Sequence, residues 1–279
     1  MIQLIQILGL PFLACVIMGA ILGYLGIGVL KREVIFVDIA LAQIAAVGSI
    51  ASHLAFGVHG DSLAGYACSL TCVLLAAAFY AFVRRCVFQI SLEAVIGISY
   101  AIAAAGALFL VGIAPGGHLH VQTMLSGSLL WATWRDVITS LALFSLVGCA
   151  FFICRRPFKQ ISDNYDNAIA EGRNAVLWDF LFYALLGVVI TLAVRIAGVV
   201  AVFAFLIIPA TISALLRPNG PGRFVITWLA SVMASMGGLL FAYYLDFSIA
   251  PSIVLFLGGL VIIVSVVRRY LQRSAGRLE

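Results

Sequence analysis

Nine long apolar runs follow one another along the chain, each bounded by turn residues or charges. A run of about 20 apolar residues is long enough to cross the hydrocarbon core of a bilayer as an α-helix. The pattern therefore predicts an all-α, polytopic helical membrane protein with a single transmembrane domain over residues 1–279. The predicted crossing helices cover residues 7–30, 34–57, 62–83, 92–113, 135–154, 177–194, 197–216, 224–245 and 251–268.

Two places leave the number of crossings open. The sixth and seventh runs share only a minimal break, around residues 195–198, so one of them could be a half-span or a kinked continuation of the other, and both eight and nine crossings fit. The segment 121–134 is too short to cross and carries Trp131 and Trp134. We expect it to form a re-entrant or interfacial helix.

The composition supports a membrane protein and excludes a soluble one. Of the 279 residues, 64% are apolar and 10% are charged, against about 25% charged in a typical soluble domain. The net charge of +5 does not indicate nucleic-acid binding, because the cations lie mainly in the connections between the apolar runs. We expect the lipid bilayer, and no nucleic acid, as the surroundings of this chain.

The cations fall in alternate connections between the predicted helices, and the positive-inside rule places these connections in the cytoplasm. The N-terminus is then expected outside and the C-terminus inside the cell. The basic connections contain Lys31 and Arg32; Arg84 and Arg85; Arg155, Arg156 and Lys159; Arg217 and Arg223; and Arg268, Arg269, Arg273 and Arg277.

The sequence carries no motif of a membrane enzyme. A P-loop requires GxxxxGK[ST], but the only two lysines, Lys31 and Lys159, are followed by Arg32 and Gln160. Neither HExxH nor GxSxG occurs. We therefore expect a transport protein and not an enzyme, and any ATP must be hydrolysed by another chain.

The second run, VDIALAQIAAVGSIASH at residues 37–53, contains polar residues inside a predicted crossing. At about 100° per residue, one helical face collects small and polar side chains, with His53 at its edge. These are Asp38, Ala42, Ala45, Ser49 and Ser52. Small residues also promote close helix packing. A carboxylate within a span usually faces a cavity, an ion or a partner, unless Asp38 is only a helix start paired with Lys31 or Arg32.

Other ionisable residues give weaker signals. His118 and His120, in GGHLH on the expected outer side, have a spacing that could place both imidazoles on one metal ion. An ordinary solvated loop is the simpler explanation, and the same applies to His53 and His59 near the same side. Three further ionisable residues close to or inside predicted helices are interpreted as interfacial: Glu93, Arg195 and Asp246.

Several segments together resemble the metal-ion permease family of ABC importers, the membrane subunits of zinc, manganese and iron uptake systems. The strongest similarity is in GVVAVFAFLIIPATISALL (198–216), followed by YYLDFSIAPSIVLF (243–256) and the polar loop DNYDNAIAEGRNA (163–175). EAVIGI (93–98) and MLSGSLL (124–130) fall at the expected places. The resemblance extends over essentially the whole chain.

This resemblance implies a homodimer in a bacterial inner membrane, with an ATP-binding subunit under each copy and an extracytoplasmic solute-binding protein that delivers the cargo. The cargo implied is a divalent zinc, manganese or iron ion, and no cofactor is bound by this chain. The cytoplasmic loop 155–175 is implied to dock the ATP-binding subunit. The coupling residues implied in it are Asp166, Ala168, Glu171 and Gly172.

The resemblance also implies a metal site in the second helix, where the family has an aspartate and, four residues later, a histidine. Asp38 takes the position of the aspartate, but Gln43, five residues on, takes that of the histidine. Five residues turn a regular helix by about 500°, so the two side chains converge only if a π-bulge absorbs one residue. A glutamine oxygen suits Mn²⁺ or Fe²⁺ better than Zn²⁺. His53 is a further candidate ligand, with Ser49 and Ser52 along the translocation path.

Other functions remain open. An ABC permease for a metal chelate or cobalamin needs a wider path than a permease for bare ions. A secondary transporter runs on an ion gradient without an ATP-binding subunit. A membrane-embedded enzyme requires clustered catalytic groups, for which the sequence gives no sign.

Overall fold

A computed structural model describes residues 2–56, 63–86, 90–113, 127, 129–163, 174–217 and 222–275. Within these ranges the chain forms ten α-helices and a short 3₁₀ helix at Leu129–Trp131, and no strand. The α-helices are α1 (Ile2–Lys31), α2 (Val37–Phe56), α3 (Leu63–Cys86), α4 (Leu92–Ile113), α5 (Trp134–Ile153), α6 (Arg155–Asp163), α7 (Ala175–Ala197), α8 (Val199–Leu216), α9 (Arg223–Leu245) and α10 (Ile249–Ala275). The predicted all-α architecture is confirmed.

Nine of the described helices, all except α6, are long and apolar enough to cross a membrane. The two helices around the uncertain break are separate, because Gly198 lies between α7 and α8 with φ 82° and ψ 159°. A positive φ favours glycine and interrupts the helical backbone. Among the described residues, the count of nine crossings is therefore supported over eight.

Helix α6 lies in the connection that the sequence predicts to be a cytoplasmic loop. Its sequence, RRPFKQISD, places proline in the first turn, where proline is tolerated because the first N–H groups have no partner within the helix. Phe158 and Ile161, three residues apart on one face, are both buried. Helix α6 is therefore packed against the rest of the protein and not only solvated.

The segment 121–134 falls mostly outside the described residues. Its last part forms the short 3₁₀ helix and the start of α5. Trp131 and Trp134 are 80% and 63% exposed, as expected for tryptophans at a membrane interface. The interfacial or re-entrant character of the whole segment stays a prediction.

The described chain separates into two compact units, each assembled from distant parts of the sequence. The first comprises residues 1–30, 126–144 and 196–279, and the second comprises residues 31–125 and 145–195. Because the chain passes between the units several times, no single cut in the sequence would separate them. The single transmembrane domain over residues 1–279 stays a prediction.

In the first unit, glycines on one face of α1 allow close approach to α8 and α9. A Cβ on Gly19 would lie 2.7 Å from Cβ of Ser231, and one on Gly26 would overlap the carbonyl oxygen of Leu206. Gly19 and Gly23 have the small-xxx-small spacing that brings membrane helices close together. Trp228 Nε1 of α9 adds a hydrogen bond of 3.3 Å to the carbonyl oxygen of Val16.

Gly26→Ala is expected to lower the free energy of unfolding by about 1–3 kcal/mol, because the added methyl group would overlap backbone that cannot move aside as a side chain would. Gly9→Ala is the matched control in the same helix, since a Cβ there meets nothing within 4 Å. Thermal unfolding in detergent gives the midpoint temperature of each of the two variants. Equal midpoints for the two variants would contradict the close approach of α1 and α8.

In the second unit, α2 packs against both α3 and α4. A Cβ on Gly48 of α2 would lie 2.9 Å from Cα of Ser69 and 3.0 Å from the carbonyl oxygen of Cys68 on α3. The close packing that small residues promote is therefore present at this point of α2. Near the far end of α2, Ile50 packs with Ala107 and Val111 of α4.

Candidate functional site

Asp38 lies in the first turn of α2 and is 1% exposed. The backbone N–H of Ile39 donates to its Oδ1 at 2.7 Å. Its Oδ2 is buried and has no hydrogen-bond partner among the residues that the structure describes. Arg32, one of the two cations suggested as its salt-bridge partner, pairs with Asp179 instead. A buried carboxylate oxygen without a partner is costly, and such groups usually serve an ion, a ligand or a partner.

The small and polar face of α2 is buried along its whole length. Its five members, Asp38, Ala42, Ala45, Ser49 and Ser52, are each at most 6% exposed. The hydroxyl of Ser52 donates to the carbonyl oxygen of Ser49 at 2.8 Å. His53 is half-buried at the edge of this face, as the helical periodicity predicts.

The candidate ligands of α2 do not meet at one point. His53 follows Asp38 by fifteen residues, which is about 22 Å along a helix axis, so one ion cannot contact both. Gln43 is half-buried, and α2 is α-helical from Val37 to Phe56 without a π-bulge. Asp38 and Gln43 therefore point about 140° apart around the helix. The role of Gln43 as a ligand stays a prediction that requires the helix to change locally.

No other cluster supplies a ready-made metal site in the described ranges, where no three His, Cys, Asp or Glu side chains come together. His59, His118 and His120 lie outside the described residues, as do Asp166, Ala168, Glu171 and Gly172 of the predicted coupling loop. Predictions for these seven residues are unchanged by the structure.

Glu93 holds the chain just before α2. It lies in the first turn of α4, and its carboxylate accepts the N–H of Ile35 at 3.0 Å and of Phe36 at 3.3 Å. Unpaired N–H groups at a helix N-terminus are satisfied well by a carboxylate. The sequence indicates only an interfacial position for Glu93, whereas the structure makes it a cap for the helix that carries Asp38.

Glu93→Ala is expected to lower the free energy of unfolding by about 1 kcal/mol, the usual cost of losing a side chain that caps a helix N-terminus. Glu93→Gln keeps an acceptor oxygen without the charge and should lose less. Hydrogen exchange of the Ile35 and Phe36 amides gives a local measurement, and both should exchange faster in the alanine variant. Unchanged exchange would show that the capping contacts contribute nothing.

A buried ion cluster lies where α3 and α7 approach the start of α2. Arg32 Nη1 donates to Asp179 Oδ1 at 2.5 Å, and Arg84 Nη1 donates to the same oxygen at 3.1 Å. The Arg32 and Asp179 side chains are fully buried, and that of Arg84 is 18% exposed. Two cations therefore share one carboxylate in the interior.

Aromatic rings surround the Arg32 guanidinium. It lies 3.9 Å from the ring centroid of Phe182 and 6.0 Å from those of Phe158 and Tyr183. Cations over ring faces at such distances are attracted electrostatically. Phe158 also packs edge-on against Phe182 and Trp178 of α7, at 5.8 Å in both cases.

This cluster was not predicted from the sequence. Arg32 and Arg84 were assigned to membrane orientation, and Arg32 also to a possible pair with Asp38. Asp179 was passed over, although an aspartate inside the predicted crossing 177–194 was a sufficient signal. In this cluster, Arg32 and Asp179 are 147 positions apart in the sequence, and Arg84 and Asp179 are 95 positions apart. No local pattern could have predicted it.

Comparison with known proteins gives one family match and several relatives. The model of the ABC 3 transport family matches residues 5–268. A "probable metal transport system membrane protein" of Chlamydia pneumoniae is 23% identical over 197 residues, which are 68% of this chain and 67% of that protein. A "probable iron transport system membrane protein" of Haemophilus influenzae is 23% identical over 154 residues, 55% of this chain and 54% of that protein.

Solved structures share the fold. A chain of PsaBC from Streptococcus pneumoniae in complex with Fab matches with a TM-score of 0.81 and 20% identity, covering 98% of each chain. A chain described as a metal-chelate type ABC transporter in an inward-facing conformation has a TM-score of 0.71 at 19% identity, covering 92% of this chain and 85% of that one.

Proposed function

Since the chain belongs to the ABC 3 transport family and is a multi-pass membrane permease with a transport role, we propose that it is the permease subunit of an ATP-driven importer of divalent metal ions. The cargo is zinc, manganese or iron. Two copies form the translocation path between them, and an ATP-binding subunit docks under each copy. An extracytoplasmic solute-binding protein delivers the ion. The membrane is the bacterial inner membrane, with the C-terminus in the cytoplasm.

The observation that carries this proposal is the state of Asp38. It places a buried carboxyl group inside a crossing helix, and one of its oxygens has no hydrogen-bond partner among the described residues. A permanent structural carboxylate would be expected to have its lone pairs satisfied. A carboxylate that binds a passing cation has to keep an oxygen available.

The surroundings of Asp38 favour a weakly held ion. One turn further on, the same face carries the methyl group of Ala42, which is no ligand. An ion at Asp38 must therefore take its other ligands from water or from other segments. Oxygen ligands of this kind suit Mn²⁺ or Fe²⁺ better than Zn²⁺, and incomplete coordination by the protein allows release.

Reconstitution tests the proposal. The chain is purified with its proposed ATP-binding subunit and placed in lipid vesicles, and uptake of radioactive manganese, zinc and iron is followed with and without ATP. The proposal predicts ATP-dependent accumulation of at least one of these ions. Accumulation driven by a proton or sodium gradient without ATP would identify a secondary transporter instead.

A permease for a metal chelate is the second candidate, since the fold is shared with a chain described as a metal-chelate type ABC transporter. The two candidates differ in what stimulates ATP hydrolysis by the reconstituted complex. A permease for bare ions responds to manganese, zinc or iron salts, whereas a chelate permease responds only to a preformed complex, such as iron bound to a siderophore or cobalamin.

A further inference from the structure

The turn between α1 and α2, residues 32–36, is held at both ends within the second unit. At its start, Arg32 is bound to Asp179 of α7. At its end, the N–H groups of Ile35 and Phe36 are bound to Glu93 of α4. Asp38 follows two residues later. Because both ends are fixed, a displacement of α7 relative to α4 has to change the first turn of α2.

Helix α6 contacts the same arginine. Phe158 is 6% exposed, its ring centroid lies 6.0 Å from the Arg32 guanidinium, and it packs edge-on against Phe182 of α7 at 5.8 Å. Ile161, on the same face of α6, is fully buried. Interiors are close-packed and transmit displacement, so a shift of α6 along this surface moves Phe158 against Phe182, the ring 3.9 Å from the Arg32 guanidinium.

We propose that Arg32 and Asp179, together with Arg84 and Phe158, form a coupling link that ties the position of α6 to the position of the Asp38 carboxylate. The link rests on the proposed function, in which the cytoplasmic side of the chain meets an ATP-binding subunit. These four are positioning residues. They act on the ion only through the first turn of α2.

The chemistry of the cluster favours a link over simple packing. Apolar residues of similar volume usually fill an interior at least as well as a buried ion pair does, and charges inside a crossing helix are expensive. Two arginines on one carboxylate instead fix the relative positions of α3, α7 and the turn before α2 by directional bonds. A displacement of any of the three is then passed to the other two.

Two substitutions test the link at different points. Phe158→Ala removes the contact from α6 while leaving the ion pairs, and Arg32→Lys keeps a charge for Asp179 but removes the planar group stacked on Phe182. Phe144→Ala is the matched control, because Phe144 is 3% exposed and belongs to the first unit. All three are measured in the reconstituted complex with the ATP-binding subunit.

In Phe158→Ala and Arg32→Lys we expect the number of manganese ions transported per ATP hydrolysed to fall by about fivefold or more, with the apparent KM for manganese unchanged. Hydrogen exchange of the amides of residues 32–41 should rise by about fivefold or more. Phe144→Ala should change neither quantity, even where its unfolding midpoint falls as far as that of Phe158→Ala.

The link would be overturned if Phe158→Ala and Arg32→Lys matched Phe144→Ala in two quantities. These are the hydrogen exchange of residues 32–41 and the number of manganese ions transported per ATP. If the wild-type complex transports no metal, the proposed function fails, and the coupling role fails with it. The exchange measurement then still decides whether α6 positions the start of α2, so the two failures are distinguishable.

Discussion

Asp179→Asn is expected to lower the free energy of unfolding by about 3–5 kcal/mol, the usual result of removing one partner of a buried ion pair. The amide cannot neutralise Arg32 and Arg84, whose side chains are 0% and 18% exposed. Asp246→Asn is the control. Asp246 is exposed in the turn after α9 with φ 55°, a conformation that asparagine also adopts, so the expected change is within about 0.5 kcal/mol.

Equilibrium unfolding in mixed micelles measures both variants. A second substitution sharpens the test, because Arg84→Met in the Asp179→Asn background removes one of the two stranded cations. It should recover part of the lost stability. If Asp179→Asn unfolds at the same denaturant concentration as the wild type, the ion cluster contributes little to folding.

Asp38→Asn is expected to reduce ATP-dependent metal uptake by about tenfold or more, equivalent to a loss of about 1.4 kcal/mol or more of favourable interaction with the ion. The substitution preserves shape and one oxygen but removes the charge that attracts a divalent cation. Asp38→Glu keeps the charge with a longer side chain and should retain part of the uptake.

Glu33→Gln is the matched control for this experiment. Glu33 is an exposed carboxylate five residues before Asp38. Its substitution therefore changes the charge of the turn just before α2 without changing the buried Asp38 site. Uptake by Glu33→Gln should equal that of the wild type. Equal losses in Glu33→Gln and Asp38→Asn would show that the general charge of this region, and not Asp38, controls uptake.

The fold was predictable because the length and hydrophobicity of membrane helices identify them in the sequence. The predicted crossing at 92–113 coincides with α4. The ends of the other eight crossings lie within three residues of the helix ends, except that α1 begins five residues earlier and α10 ends seven residues later than predicted. Helix α6 was not predicted. The segment RRPFKQISD has nine residues and a proline near its start, so it is too short for hydrophobic periodicity to distinguish a helix from a loop.

The site was predictable only where one helix carries it. Asp38 and its small-residue face follow from the periodicity of α2, and all five members of that face are buried. The Arg32–Asp179–Arg84 cluster and the cap from Glu93 join residues at least 57 positions apart. Such contacts depend on how α2, α3, α4 and α7 pack, which hydrophobic periodicity within one helix does not specify.

Diffraction from crystals of the complex grown with manganese shows whether Asp38 binds the transported ion, because anomalous scattering locates the ion itself. We expect an anomalous peak in contact with Oδ2 of Asp38, absent from crystals of Asp38→Asn grown in the same way. A manganese peak elsewhere in the translocation path, retained in Asp38→Asn, would contradict it.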